Sequence, residues 1–241
     1  MRIIVRYKNI VEGTFISRPN RFIAYVKIND TGKTEMCHVK NTGRCRELLI
    51  PGEAEVYLED CGRDSEEGLK KRKTRYSVIG VKKGDYIINM DSQAPNKAVY
   101  EWLISGRFNK EVSNVKMEYS YGKSRIDAFF MLKGKKCLME VKGVTLEDNG
   151  VVRFPDAPTQ RGVKHIHELI HALEEGYESY IVFVIQMRGV KYFEPNDVMD
   201  KEFGDALREA QLKGVKILAV DCAVEPGAME INDYVEVRTG V

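Results

Sequence analysis

The sequence predicts a two-domain protein, a mixed α+β and α/β chain in which a small N-terminal β-barrel precedes an α/β domain. Three observations support this: strand-like runs fill the first 90 residues, strands and helices alternate after Pro95, and the net charge changes sign between the two parts. A chain of 241 residues can form one large domain or two small ones. We place the domains at residues 1–86 and 87–241, with the boundary in the segment 84–95.

The first domain is predicted from short runs rich in Val, Ile, Tyr and Phe. These runs lie at residues 3–7, 22–28, 35–39, 54–58 and 76–81. Turn-forming residues such as Gly13 and Pro51-Gly52 separate them. Five short strands in fewer than 90 residues indicate a closed or partly open barrel, an architecture that often binds nucleic acid on its face.

The second domain is predicted from a change of period after Pro95. Apolar residues recur at helical spacing in 98–104, 159–175 and 200–213, and Gly176 and Gly214 follow the last two segments as helix-stop signals. Strands are predicted at 125–132, 136–141, 180–186 and 215–220, and loops at 147–150 and 154–158. Strands that alternate with helices in this way indicate a covered sheet.

Charge is distributed unevenly along the chain. Residues 1–90 carry 18 Lys and Arg against 12 Asp and Glu, a net charge of +6, and residues 91–241 carry 20 against 24, a net charge of −4. A basic module joined to an acidic remainder is typical of a protein that binds a polyanion. The densest basic run, at 70–75, is equally compatible with a solvated hairpin tip.

Several classes of protein are excluded by composition. No apolar run approaches the roughly 18 residues that a membrane-spanning helix needs, and charge interrupts the N-terminus too early for a signal peptide. The five cysteines include no CxxC pair, which argues against a disulfide framework and a cysteine zinc site. We therefore expect a cytoplasmic protein without a membrane partner.

The segment 124–142 carries the most informative pattern. Its two strand-like runs flank Lys133-Gly134, and a two-residue turn there, or a four-residue loop around it, makes the positions of cross-strand partners add to 267. Asp127 then lies opposite Glu140, and Lys142 shares their face because side chains alternate along a strand, as does Arg125. A loop of odd length would move Asp127 to the other face.

This pattern is typical of phosphodiester-cleaving sites. Two adjacent carboxylates repel each other, and a hard divalent cation such as Mg²⁺ or Mn²⁺ compensates them. Lys142 is then placed to orient a water molecule or to offset charge that develops on phosphoryl oxygens. An exposed cross-strand ion pair remains an alternative interpretation of the same residues.

Ordered matches along nearly the whole chain make the sequence resemble the bacterial and archaeal sugar fermentation stimulation protein A family. The matching segments are 18–22, 38–44, 47–52, 124–127, 140–146, 154–157 and 161–165. The resemblance implies an OB-like barrel followed by a domain similar to the PD-(D/E)xK nucleases. It also implies DNA binding, a role in the expression of sugar-utilisation genes, and nuclease activity.

The resemblance assigns roles to residues of the second domain. Asp127, Glu140 and the carbonyl of Val141 would hold Mg²⁺ or Mn²⁺, and Lys142 would be the catalytic lysine. The following helix would line the site with four residues, namely Gln160, Arg161, Lys164 and His165. Glu101 is a further candidate, as the helix-borne acid that some related nucleases add, or it lies on a solvated helix face.

The basic domain supplies the candidate nucleic-acid contacts. They lie in or beside loop-like segments, and they are Arg18, Asn20, Arg21, Asn41, Arg44 and Arg46. Arginine forks match phosphate oxygens, so DNA binding that depends little on sequence is expected. Structural ion pairs with Glu47 or Glu53 are the alternative. The sequence leaves open whether DNA or RNA is cut, and it leaves the oligomeric state open.

A competing motif, His167-Glu168-Leu169-Ile170-His171, has the H-E-x-x-H pattern of zinc proteases. The pattern places both histidines on one helix face, but the chain offers no recognisable third ligand, and the histidines also fit the polar side of an amphipathic helix. A metal-dependent nuclease is therefore our first hypothesis. A non-catalytic DNA-binding regulator is the alternative, and a zinc metalloprotease is a minor one.

Overall fold

A computed structural model describes residues 5–41, 43–62, 73–122 and 124–240. The chain divides into two compact units. The first comprises Val5–Ala94 with Ala223–Glu230, and the second comprises Pro95–Cys222 with the residues from Ile231 onward. The segment Ala223–Glu230, which the sequence analysis assigns to the second domain, thus belongs to the first unit. The first half of the basic run at 70–75, residues 70–72, lies outside the described residues.

The first unit is a small barrel. Its strands are β1 (Val5–Arg6), β2 (Ile10–Asn20), β3 (Ile23–Ile28), β4 (Thr34–Val39), β5 (Glu55–Asp60), β6 (Tyr76–Lys83) and β7 (Tyr86–Asn89). Their order is β4-β3-β2-β5-β6-β7, and parallel pairing of β4 with β6 closes strands β2 to β6 into a ring. The predicted OB-like barrel of five strands is confirmed.

The barrel differs from the prediction in its first strand. Residues 3–7 were expected to supply it, but the described part of that segment, β1, pairs with Ala228 and Met229 instead. The long strand β2 takes the place in the barrel, and Gly13 lies within it rather than in a turn. A Cβ atom at position 13 would lie 2.5 Å from Val26 Cγ1 and 2.7 Å from the Lys27 carbonyl oxygen. The glycine therefore allows close packing of β2 on β3, which a sequence pattern does not distinguish from a break.

The second unit contains a mixed sheet. Its strands are β8 (Val112–Tyr121), β9 (Ser124–Leu132), β10 (Lys135–Val144), β11 (Leu146–Asp148), β12 (Val151–Phe154), β13 (Glu178–Ile185), β14 (Tyr192–Pro195), β15 (Lys216–Glu225) and β16 (Ala228–Val237). The last two strands include the residues that belong to the first unit. The strand order is β11-β12-β14-β16-β15-β13-β10-β9-β8. Strand β13 pairs in parallel with β10 on one side and with β15 on the other. Its residues are buried except at the first position, as expected for a central strand of a covered α/β sheet.

Three helices accompany this sheet: α1 (Ala94–Ile104), α2 (Gln160–Glu174) and α3 (Lys201–Lys213). The side chain of Thr159 accepts a hydrogen bond from Gly162 N at the start of α2, and Asp200 does the same for Phe203 N in α3. Helix α2 packs against α3, β13 and β10, and this packing places one face of α2 over the central strands. All three predicted helices are confirmed. None of the helices in the described part of the chain is long and apolar enough to cross a membrane.

Candidate active site and nucleic-acid interface

The hairpin of β9 and β10 has the predicted register. Its pairs run from Leu132 with Lys135 to Ala128 with Met139, and each pair of positions adds to 267. Lys133 and Gly134 form the two-residue turn with φ angles of 51° and 80°, as a type I′ turn requires. One step beyond the last pair, Asp127 and Glu140 therefore lie side by side.

Asp127 is held by two donors at the point where strand pairing ends. Its Oδ1 accepts from Asn96 Nδ2 at 2.8 Å, and its Oδ2 accepts from the backbone N–H of Val141 at 2.8 Å. Burial raises the pKa of Asp127 above its ordinary value, and the nearby charge of Glu140 raises it further. The two carboxylates thus share one electrostatic environment, in which a cation would be favoured.

Glu140 is almost fully buried, with 2 % of its surface exposed. Its Oε1 accepts from Lys142 Nζ at 2.5 Å and from His165 Nδ1. Burial acts to raise the pKa of Glu140, but the hydrogen bond from His165 and the charge of Lys142 outweigh it and hold that pKa below its ordinary value. Glu140 is therefore ionised at neutral pH despite its burial.

The other oxygen of Glu140 distinguishes the site from a simple ion pair. Glu140 Oε2 is buried and has no hydrogen-bond partner among the residues that the structure describes. An unpartnered carboxylate oxygen in the interior is costly unless another group meets it, and a hard cation is the group that an Asp–Glu pair fits. The donor set of Asp127 and Glu140 therefore fits Mg²⁺ or Mn²⁺.

The backbone offers a third oxygen donor, the carbonyl of Val141. The N–H and C=O of a strand residue point toward the same neighbouring strand, so the Val141 carbonyl faces the side on which its N–H meets Asp127. Within the described ranges, no three His, Cys, Asp or Glu side chains form a group that could hold a metal ion. A cation at this site would therefore be bound by two carboxylates and by donors of another kind.

Asn96 is a site residue that the sequence analysis missed. It lies in the first turn of α1, and its contact with Asp127 needs a close approach of that helix to β10. Gly143 permits this approach, since a Cβ atom there would lie 2.8 Å from Pro95 Cγ and 2.6 Å from Gln186 Oε1. In the sequence, only the glycine directly after Lys142 indicated a close approach at this place, and a glycine does not identify the residue that approaches it.

Helix α2 brings one of its four predicted residues into direct contact with the triplet. His165 is buried and bonds to Glu140, and Arg161 Nε donates to His165 Nε2 at 3.4 Å. Because Nε2 accepts, Nδ1 carries the proton and donates to Glu140. Gln160 is exposed, and Lys164 is exposed and pairs with Glu168 at 3.6 Å.

The structure gives Glu101 and the H-E-x-x-H motif other surroundings. Glu101 follows Asn96 by five residues on α1, about 140° around the helix axis, so the two do not share a face. His167 and His171 are exposed on α2, and His171 lies 3.2 Å from Glu174. Glu168 accepts from Ser124 Oγ. These contacts match the polar-side interpretation of the two histidines.

The basic residues of the barrel separate into two groups. Arg21, Arg44 and Arg46 are exposed and line a hollow of about 300 Å³ together with Arg18 and Leu49. Within the described part of the chain, no ion pair joins the three exposed arginines to Glu47 or Glu53. Their guanidinium groups are therefore available to an anionic ligand.

Arg18 and the two asparagines shape the loops of this hollow. The two Nη atoms of Arg18 donate to four backbone carbonyls, those of Arg21, Asn41, Gly43 and Arg44, at 2.6–3.0 Å. Asn20 Oδ1 accepts from Phe22 N at 2.9 Å, and Asn41 Oδ1 accepts from Gly43 N at 2.8 Å. The hydrogen bonds of Arg18 thus hold the loop that contains Arg44 against strand β2.

Comparison with known proteins matches both units. A family model described as the sugar fermentation stimulation protein RE domain matches residues 93–228, and one described as the SfsA N-terminal OB domain matches residues 16–90. A sugar fermentation stimulation protein homolog of Clostridium beijerinckii is 54% identical over 233 residues, which are 97% of this chain and 99% of that protein. A homolog of Desulfitobacterium hafniense strain Y51 is 53% identical over 234 residues, 97% of this chain and 98% of the relative.

A solved structure has the same fold. The Pyrococcus furiosus SfsA protein in complex with Ca²⁺ superimposes with a TM-score of 0.84 and 26% identity, over 98% of this chain and 99% of the other. The resemblance inferred from sequence motifs is confirmed by these matches. The chain belongs to the sugar fermentation stimulation protein family.

Proposed function

We propose that this chain is a metal-dependent nuclease that binds nucleic acid through its barrel and cleaves phosphodiester bonds at the Asp127–Glu140–Lys142 site. The observation that carries the proposal is the buried, unpartnered Oε2 of Glu140 beside Asp127. Within the described residues Glu168 Oε2 is also buried without a partner, so the buried oxygen of Glu140 indicates a cation only together with the second carboxylate, Asp127, beside it. The Ca²⁺ bound by the Pyrococcus furiosus relative is a hard cation, of the class that this donor set fits.

The residues of the site would have three roles: to hold the cation, to reach the phosphate or water, and to orient the two carboxylates. Asp127, Glu140 and the Val141 carbonyl would hold Mg²⁺ or Mn²⁺, which when bound supplies Lewis-acid stabilisation of the phosphoryl oxygens. Lys142, whose side chain is 14% exposed, is near enough to Glu140 to reach a phosphate or a water on the same face. Asn96 and the Val141 N–H fix the orientation of Asp127, and His165 fixes that of Glu140.

A cleavage assay tests the catalytic half of the proposal. Single- and double-stranded DNA and RNA are incubated with purified protein and Mg²⁺ or Mn²⁺, and with EDTA as a control. We expect cleavage that EDTA abolishes. If the wild-type protein cleaves none of these substrates under any of these conditions, the nuclease proposal is wrong.

The regulator hypothesis is favoured by one observation. Without any divalent cation, the Lys142 ammonium already pairs with Glu140 and His165 donates to the same oxygen, which is what a non-catalytic scaffold would need. A protein that binds DNA but never cleaves it, with or without divalent cations, would identify this function.

Salt dependence tests the binding half. Affinity that rests on phosphate contacts falls log-linearly with salt and depends little on sequence. Replacing Arg21 and Arg44 together with Ala should weaken binding to every DNA sequence and reduce the salt slope by about 2. Lys82→Ala is the matched control, because that ammonium already pairs with Glu55 at 2.8 Å on the barrel surface. A loss of affinity confined to one sequence would contradict a backbone-binding role.

A further inference from the structure

The outer surface of strands β3 and β4 exposes large apolar side chains. Along β3 the residues Ala24, Val26 and Ile28 are buried, so Tyr25 points outward, where 39% of its surface is exposed. Met36 of β4 pairs directly with Tyr25 and is 37% exposed. The face therefore presents an aromatic ring and a thioether side by side, with Lys27 two residues further along β3.

A second exposed ring lies at the start of the same strand. Phe22 is 46% exposed, and the Arg21 guanidinium lies 4.8 Å from the centre of its ring. The backbone there is fixed, because Asn20 Oδ1 accepts from the N–H groups of Phe22 and Ile23, and Val39 N donates to the Phe22 carbonyl. The ring of Phe22 is thus carried by an ordered turn rather than by a loose loop.

The Phe22 ring adjoins the hollow that Arg21, Arg44 and Arg46 line, since Arg21 both contacts this ring and lines the hollow. Aromatic rings next to arginines suit a strand whose bases are unpaired, because every base offers a face for stacking and every nucleotide a phosphate. A duplex hides its base faces within its own stack. The combination of flat apolar groups and positive charge therefore favours single strands over duplexes.

We propose that the barrel binds single-stranded nucleic acid by stacking a base on Phe22 while the arginines of the hollow hold its phosphates. Tyr25 lies three positions further along the chain, and because side chains alternate along a strand it does not share a face with Phe22. This inference rests on the proposed nucleic-acid binding and narrows it to a substrate class.

Fluorescence anisotropy with labelled 12-mers tests the inference. The full chain is titrated in EDTA with oligo-dT, with oligo-U and with a 12-base-pair duplex, so that DNA and RNA single strands are compared directly. Phe22→Ala should lower single-strand affinity about 5- to 100-fold, and duplex affinity should change less than about twofold. Tyr86→Ala is the matched control, because Tyr86 is 44% exposed on β7 of the same unit, and it should leave both affinities unchanged.

A tryptophan variant tests base stacking directly by fluorescence. Phe22→Trp should keep single-strand affinity, and its fluorescence should be quenched when oligo-dT or oligo-U binds. The only native tryptophan, Trp102, is 4% exposed in the other unit and serves as an unquenched background.

The outcomes separate this inference from the proposal on which it rests. If Phe22→Ala binds single strands like the wild type while Arg21→Ala with Arg44→Ala binds weakly, the stacking assignment is wrong and the nucleic-acid function stands. Equal losses for single strands and duplex in Phe22→Ala also overturn the single-strand inference. If the wild-type chain binds none of the three probes, both proposals fail together.

Discussion

Two glutamates of the same sheet, Glu140 on β10 and Glu178 on β13, each accept hydrogen bonds from two nitrogen-bearing side chains. Glu178 accepts from Lys135 at 2.8 Å through one oxygen and from Lys216 at 2.6 Å through the other. Glu140 accepts from both Lys142 and His165 on a single oxygen, and its second oxygen is buried with no hydrogen-bond partner among the described residues. This unequal use, beside a second carboxylate, is the difference on which the proposed site rests.

The two glutamates differ in burial as clearly as they differ in hydrogen bonding. The Glu178 side chain is 23% exposed, and hydrogen bonds from Lys135 and Lys216 lower its pKa to about 2. The Glu140 side chain is 2% exposed, and a second carboxylate, Asp127, lies beside it with its pKa raised. The same residue type in the same sheet is thus stabilised by solvent-exposed lysines in one place and left short of positive charge in the other.

The largest expected difference between the two glutamates is in cleavage. Glu140→Gln should reduce metal-dependent cleavage below detection, because it removes a charged oxygen that a cation would need. Glu178→Gln is the matched control and should cleave like the wild type. Asp127→Asn should behave like Glu140→Gln. Cleavage that persists in Glu140→Gln would show that the site lies elsewhere.

The lysines should differ in the same way. Lys142→Ala should slow the chemical step by about 10²–10³-fold while metal binding remains, as when other groups that stabilise developing charge are removed. Lys135→Ala, on the same strand and 66% exposed, should leave single-turnover rates unchanged. Equal rates for Lys142→Ala and wild type would assign Lys142 to charge balance alone.

Divalent cations should stabilise the folded chain through the Asp127–Glu140 pair and not through Glu178. At a Mn²⁺ concentration 100-fold above the Kd, the free energy of unfolding should rise by about 2.7 kcal/mol. Glu178→Gln should keep this gain and Glu140→Gln should lose it, as measured by urea unfolding with Mn²⁺ and after chelation. A gain of equal size in all three proteins would place the cation outside the Asp127–Glu140 pair.

The smallest expected effect is the pH dependence of the Glu178 cluster. Its pKa in the folded chain, about 2, is below the ordinary value of 4.5, so its stabilisation is fully present above pH 4.5 and is lost as the pH falls toward 2. The difference in unfolding free energy between wild type and Glu178→Gln should therefore be about 1 kcal/mol at pH 7, given its partial exposure, and should shrink at pH 3. A difference that grows on acidification would contradict this assignment.

The charged triplet could be predicted because its geometry is local. A two-residue turn and strand alternation determine which side chains face each other, and neither depends on the rest of the fold. The contact of Asn96 with Asp127 could not be predicted this way, because it joins a helix and a strand that are 31 residues apart. The family resemblance alone implied that His165 lines the site, and it did not identify Glu140 as the partner of His165.

Two strands at the margins of the sheet were missed for different reasons. Strand β8 is an edge strand in which Val115, Met117, Tyr119 and Tyr121 alternate with exposed polar residues, so the strand pattern was present in the sequence. Strand β12 is only four residues long and follows a turn at Asn149-Gly150, where the sequence predicts a loop. A strand this short is held by its neighbours, and a single sequence does not show those neighbours.

Gly143 shows that a mutational scan can detect a position that supports the proposed site without carrying a functional group. Alanine at this position would meet Pro95, a rigid ring that cannot rotate away as a flexible side chain does. The helix that carries Asn96 would have to move, and Asp127 would lose one of its two fixed donors while every charged residue stayed in place. In a library selected for activity, position 143 should therefore tolerate as few substitutions as Asp127, and a search restricted to polar side chains would overlook it.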